Sequence, residues 1–198
     1  DTAAAAVAAA AAAAGAAAPS PPLPLTSTAG TLAHDKAINA VDVSPDDGLA
    51  VSASADRTAR LWRLPDLVPG PVLRGHRRGV WDARFAPADR LVATAGGDAV
   101  IRLWALPDGA CVRVLEGHGA SVLRCVWVAG GAALLSSGAD GLMKTWHPRS
   151  GECVATADAH GSKAWALDAV DAGGRGGGGA GGAGALPPPL AASGGADG

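Results

Sequence analysis

An all-β propeller is the fold class this sequence predicts, and three observations point to it. The first is a period. His34, His76, His118 and His160 follow one another at 42 residues, as do Asp56, Asp98 and Asp140, and Trp62, Trp104 and Trp146. The second is the content of each period, which holds four short runs of apolar and β-branched residues separated by Gly, Pro, Asp and Ser. Runs of that length bounded by turn formers read as strands. The third is the dipeptide Gly-His at Gly75-His76 and Gly117-His118 with a late tryptophan in the same unit. A repeat of ~40–45 residues with those marks is one four-stranded blade.

The elements follow in order within each unit. The first strands are AINAVDV, GVWDARF and SVLRCVW, each ending at a turn, SPDD, APAD or VAGG. The second strands are LAVSAS, LVATAG and ALLSSG, and the third, after a tight turn containing aspartate, are TARLW, VIRLW and LMKTW. The fourth are PVLRG, CVRVLEG and CVATADA. This gives a WD40 β-propeller of about three complete four-stranded blades, keyed by His34, His76 and His118, with partial blades at both ends. The last partial blade starts at His160. At a fixed count of 42 it lacks its aspartate and its tryptophan, with Pro188 standing where the tryptophan would fall.

The repeats occupy residues 31–170. Residues 1–30 are Ala-rich and then Pro/Ser-rich, and residues 171–198 are Gly/Ala/Pro-rich and expected to be a flexible tail. Neither end has the large apolar side chains that offset the entropy of ordering. The alanine run from Ala3 to Ala18 lacks a basic flank, so it is a poor signal or transit peptide, and no membrane span is expected. The glycine tract has no Lys-Ser/Thr after it and is no phosphate loop. The chain begins at Asp1 rather than Met and reads as a fragment or a processed product. Its net charge is −2, and residues 32–170 hold 15 basic and 15 acidic residues, so any nucleic-acid contact has to come from a local patch. Cys111, Cys125 and Cys153 lack metal-ligand spacing and are expected as small buried apolar side chains.

Ser52, Thr94 and Ser136 stand four residues before the periodic aspartates. Each blade therefore carries one set: His34/Ser52/Asp56/Trp62, His76/Thr94/Asp98/Trp104 and His118/Ser136/Asp140/Trp146. Ser, His and Asp together suggest a hydrolase, but an enzyme needs one nucleophile rather than one per blade, and there is no GxSxG elbow. A structural reading accounts for all four types. A buried indole N–H needs an acceptor, a hydroxyl can take it and pass a hydrogen bond to imidazole, and aspartate can fix the imidazole. These are expected to be structural tetrads. No catalytic residue, metal ligand or cofactor is expected.

What is not periodic is the basic character beside the scaffold. Arg77 and Arg78 follow His76, where the other units have Asp35-Lys36, Gly119-Ala120 and Gly161-Ser162. Lys36, Arg57, Arg77 and Arg78, with Trp81, are the candidate partner-binding residues, on one face of the propeller. A solvated charged rim is the plain alternative.

The segments AHDKAIN, DRTARLWRLPD, GHRRGVWDARFAPAD, LEGHGASVL, LLSSGADGLMKTW and GECVATADAH resemble the transducin beta-like 3 family over roughly His34 to Leu167. That family comprises WD-repeat subunits of the small-subunit processome, with two tandem propellers and a helical C-terminal domain. The resemblance implies a non-catalytic scaffold in ribosome biogenesis and pre-18S rRNA processing, located in the nucleus and nucleolus. It also implies other WD-repeat processome proteins as partners and association with U3 snoRNA or pre-rRNA, direct or indirect. This chain departs from the family pattern in the repeat at His160, in alanine where upstream blades stand, and in lacking the C-terminal domain. Another WD40 role remains open, as a ubiquitin-ligase substrate receptor or a signalling scaffold.

Overall fold

The computed structural model describes residues 32–170 and 190–195. Residues 1–30, and the partial blade expected at that end, lie outside them. Three antiparallel sheets of four strands follow in chain order. Blade 1 holds β1 (Ile38–Val43), β2 (Leu49–Ser54), β3 (Thr58–Arg63) and β4 (Val68–Arg74). Blade 2 holds β5 (Val80–Phe85), β6 (Leu91–Gly96), β7 (Val100–Ala105) and β8 (Cys111–Glu116). Blade 3 holds β9 (Val122–Val128), β10 (Ala133–Gly138), β11 (Leu142–Trp146) and β12 (Cys153–Asp158). A two-stranded sheet completes the described chain, β13 (Ala164–Val170) with β14 (Leu190–Gly195). That last strand falls inside the segment expected to be a flexible tail. Among the described residues, no helix is long and apolar enough to cross a membrane.

Strand position within a blade sets the residue types. The second strands, LAVSAS, LVATAG and ALLSSG, are buried at every position after the first. Each lies between two strands of its own sheet, with a neighbouring blade against it, so only Ala, Ser, Gly and modest aliphatics fit. The fourth strands lie at the outside and alternate little; β12 is exposed throughout. The first strands β1, β5, β9 and β13 lie side by side along the inner rim. Two clusters fill the spaces between blades. Val51, Ala53, Ala59, Leu61 and Leu73 of blade 1 pack with Val80, Ala83, Phe85, Val92 and Trp104 of blade 2. Ala93, Ala95, Ile101, Leu103 and Leu115 of blade 2 pack with Val122, Cys125, Trp127, Leu134 and Trp146 of blade 3.

Hydrogen bonds stitch the inner rim from blade to blade. The Asp42 carboxylate accepts the Phe85 N–H at 2.9 Å, and the fully buried Asp82 accepts the Cys125 N–H at 3.1 Å. Trp127 Nε1 donates to the Arg84 carbonyl at 3.1 Å, and Asn39 Nδ2 to the Val80 carbonyl at 2.7 Å. Burial pushes the Asp82 carboxyl up, while the Arg84 guanidinium, 3.2 Å away, opposes it. A buried carboxylate with its partners in place locks relative blade position more than it adds net stability.

Candidate functional site

The tetrad residues meet in each complete blade. In blade 1, Trp62 Nε1 donates to Ser52 Oγ at 2.9 Å, His34 Nε2 lies 2.7 Å from the same oxygen, and His34 Nδ1 lies 2.8 Å from Asp56. Blade 2 repeats this with Trp104 to Thr94, His76 to Thr94 and His76 to Asp98, each at 2.8 Å. Blade 3 has Trp146 to Ser136 at 2.8 Å, His118 to Ser136 at 2.8 Å and His118 to Asp140 at 2.9 Å. The direction of the chain follows from the indole, which can only donate. The hydroxyl accepts from it and donates to Nε2, which leaves Nδ1–H to donate to the carboxylate. Every hydroxyl is buried.

Electrostatics reinforce that order. Burial would raise the Asp56 carboxyl, but hydrogen bonds from Thr58 and His34 outweigh it and hold it at about 2. Asp98 and Asp140 are lowered too: burial works against ionisation, but amide donors and the imidazoles prevail. Burial lowers His76 and His118 despite their aspartates. Neutral imidazole beside ionised carboxylate is the form these sites favour. The aspartates also bind the loop before each blade, accepting the N–H of Arg77 at 2.9 Å and of Gly119 at 2.8 Å.

The candidate partner-binding residues share one end of the blades. Lys36, Arg57, Arg77, Arg78 and Trp81 are all exposed. Backbone contacts bring their loops together: Ala55 N–H donates to the Ala37 carbonyl at 3.0 Å, and a Cβ on Gly79 would lie 3.2 Å from Ala55 Cα. Arg57 occupies a left-handed turn position (φ 74°), where blade 3 has Gly141 (φ 77°). A side chain there works against local sterics.

Three residue blocks, 26–63, 68–105 and 109–147, match the family model described as WD domain, G-beta repeat. The chain belongs to the WD40 family. Among curated proteins, this WD40 chain is 52% identical over 52 residues to Transducin beta-like protein 3 of Mus musculus and 52% over 48 residues to that of Homo sapiens. It is 44% identical over 50 residues to U3 small nucleolar RNA-associated protein 13 of Saccharomyces cerevisiae. Those stretches cover 24–26% of this chain and 6% of each relative.

Two features of this WD40 chain differ from the sequence-based expectation. His160 Nε2 lies 3.0 Å from Ser193 Oγ, and the two are 33 residues apart, whereas His and Ser/Thr of the other tetrads are 18 apart. The fourth repeat therefore resumes its register 15 residues late. Counted from Ser193, the sequence Ser193-Gly-Gly-Ala-Asp197 parallels Ser136-Ser-Gly-Ala-Asp140. An aspartate, Asp197, thus stands four residues after Ser193 in the sequence, and both it and Pro188 lie outside the described residues. The cysteines differ as well. Cys125 is buried, but Cys111 and Cys153 are exposed because each opens an outermost strand.

Proposed function

We propose that this WD40 chain is a non-catalytic scaffold of the small-subunit processome, acting in the nucleolus in pre-18S rRNA processing. Its partners are other WD-repeat processome proteins and, directly or through them, U3 snoRNA or pre-rRNA. The observation that carries this is the similarity to Transducin beta-like protein 3 and to U3 small nucleolar RNA-associated protein 13. The tetrads support the non-catalytic part: Ser52, Thr94 and Ser136 are each buried and already engaged by indole and imidazole, so none of these three hydroxyls is free to act as a nucleophile.

The test is sedimentation of the tagged full-length protein from nucleolar extract, with probing of the gradient for U3 snoRNA. Co-migration with pre-ribosomal particles is expected. Recovery with a ubiquitin ligase or a signalling complex, away from those particles, would replace the proposal. In the same assay Arg77→Glu with Arg78→Glu should weaken association and leave the fold intact by circular dichroism, because charge reversal at an exposed rim acts on encounter and specificity. Unchanged recovery would make the arginines a solvated rim.

A further inference from the structure

The first strand of every blade carries a β-bulge at the same place. Pairing steps from Ile38 to Ala40, from Val80 to Asp82 and from Ala164 to Ala166, and in blade 3 from Val122 to Arg124. The residues left out of the ladder are Asn39, Trp81, Leu123 and Trp165, each 42 after the last. A bulge frees one residue from pairing and re-aims its side chain. Here the four freed residues, joined by Arg124, line a single cleft of about 150 Å³ on the inner rim.

The two tryptophans in this cleft are unlike the other four. Trp62, Trp104, Trp127 and Trp146 are at most 9% exposed, and the N–H of each is held by a hydroxyl or a carbonyl. Trp81 and Trp165 are 37% and 47% exposed. Neither indole N–H has an acceptor among the described residues. Blade folding explains the buried four and leaves these two unexplained.

Cations surround them. Arg78 Cβ and Trp81 Nε1 both lie 3.2 Å from where a Cβ on Gly97 would stand. Arg124 donates to the Trp81 carbonyl at 3.4 Å, and the Lys163 ammonium sits 5.4 Å from the Trp165 ring centre. The neighbouring carboxylates are engaged: Asp82 is buried on the Cys125 N–H and Arg84, Asp98 holds His76 and Arg77 N–H, and Asp140 holds His118 and Gly119 N–H. Asp35, Glu116 and Asp158 are exposed at this end, but none of them lines the cleft. Such a cleft offers no carboxylate cage to a cationic ligand. An acidic peptide would use the cations and leave both indole faces idle. Single-stranded nucleic acid uses both, since bases stack on aromatic faces while phosphates pair with Arg and Lys.

We propose that this cleft binds single-stranded RNA, with bases on Trp81 and Trp165 and the backbone along Arg78, Arg124 and Lys163. The choice of RNA over DNA rests on the processome reading; the cleft itself does not. The experiment is fluorescence anisotropy of the full-length protein with labelled oligo(U) and oligo(A) of about a dozen nucleotides, alongside quenching of tryptophan emission. Trp81→Ala and Trp165→Ala should each weaken binding by about fivefold or more. Trp165→Phe, which keeps an aromatic face, should retain most of the affinity. Lys163→Glu should make the log–log salt dependence shallower by about one phosphate contact. Arg149→Glu, on the loop after β11, should change nothing.

If both alanine variants, folded by circular dichroism, bind like wild type, the cleft is not the site. If the wild type ignores RNA but binds polyglutamate, the occupant is an acidic protein segment and the proposal fails. Equal affinity for single-stranded DNA would remove the assignment to RNA. Tryptophan-dependent RNA binding by a protein that does not travel with pre-ribosomal particles would uphold the cleft and remove the proposed function, so the two failures are distinct.

Discussion

Blades 1, 2 and 3 each turn the same five positions toward the next sheet, yet the outcome differs. In blade 1 these are Val51, Ala53, Ala59, Leu61 and Leu73, in blade 2 Ala93, Ala95, Ile101, Leu103 and Leu115, and all ten are at most 3% exposed. In blade 3 they are Leu135, Ser137, Met143, Thr145 and Ala157. Leu135 and Ser137 are buried, Met143 and Thr145 are half-buried, and Ala157 is exposed. A space of about 380 Å³ opens there, lined by Leu135, Met143, Thr145 and Ala157 among others. The covering group makes the difference. A tryptophan from the third strand of the following blade, Trp104 or Trp146, takes part in sealing the first two faces, whereas among the described residues β13 and β14 set only a first and a second strand beside blade 3. The residues match their cover: Thr145 and Ala157 stand where the sealed faces have leucine. Burial in this fold is thus a property of blade pairs, and a blade's own sequence states only half of it.

The largest effect should come from removing a seal. Trp104→Ala deletes a ring 2% exposed and strands the Thr94 hydroxyl, and should cost roughly 3–5 kcal/mol in chemical denaturation of the full-length protein. A loss no greater than that for Trp81→Ala, on the exposed rim, would mean that the tetrad tryptophans do not seal the blades. Next comes the direct comparison of faces. Leu103→Ala should cost about 2–4 kcal/mol, and Met143→Ala at the half-covered face about 1 kcal/mol. Equal losses would show that blade 3's face is sealed in the full-length protein as well.

Acid should weaken blades 2 and 3 through their histidines. His76 and His118 are held below their ordinary value of 6.5 in the fold. As pH falls below that value, the unfolded chain takes up protons that the folded chain refuses, so stability is full above it and declines beneath it. The lowered aspartates add a second decline below 3.8, which for Asp56 continues to about 2. Thermal melts from pH 7.5 downward should show this, with the same slope for Leu103→Ala and Met143→Ala. A difference in slope would tie the titration to the faces rather than to the tetrads. The smallest effect concerns the fourth repeat. Removing 15 residues between β13 and β14 restores the His-to-Ser spacing of the other blades. It should stabilise the protein by about 1 kcal/mol, because closing a longer loop costs only ~0.6 kcal/mol per doubling. Loss of the His160–Ser193 contact, followed by imidazole NMR, would show the register was wrongly drawn.

The period made the blades, their strand order and the residues of the tetrads readable, because identical side chains recur where identical hydrogen bonds are made. Asn39, Trp81, Leu123 and Trp165 lie on the same period, but their types differ, and a repeat recognised through identity passes over them. The sequence pattern marks Trp81, beside the non-periodic arginines, but not the three others that share its cleft. Ser193 escaped a fixed count of 42, although the string SGGADG was there to be aligned with SSGADG. The exposure of Cys111 and Cys153 and the burial of Asp82 depend on which blade stands opposite, and no local pattern carries that.

The bulge on each first strand has one more consequence. A residue that pairs with nothing in its ladder can change identity without disturbing the strands on either side of it. The blade thereby separates the tetrad and the packed strands from one position that its own ladder does not constrain, held instead only by contacts to the neighbouring blades, as Asn39 is by the Val80 carbonyl. Four blades in a row present four such positions side by side, here Asn, Trp, Leu and Trp. A rim written in that way can acquire a new specificity by single substitutions, one blade at a time, while the scaffold that displays it stays the same.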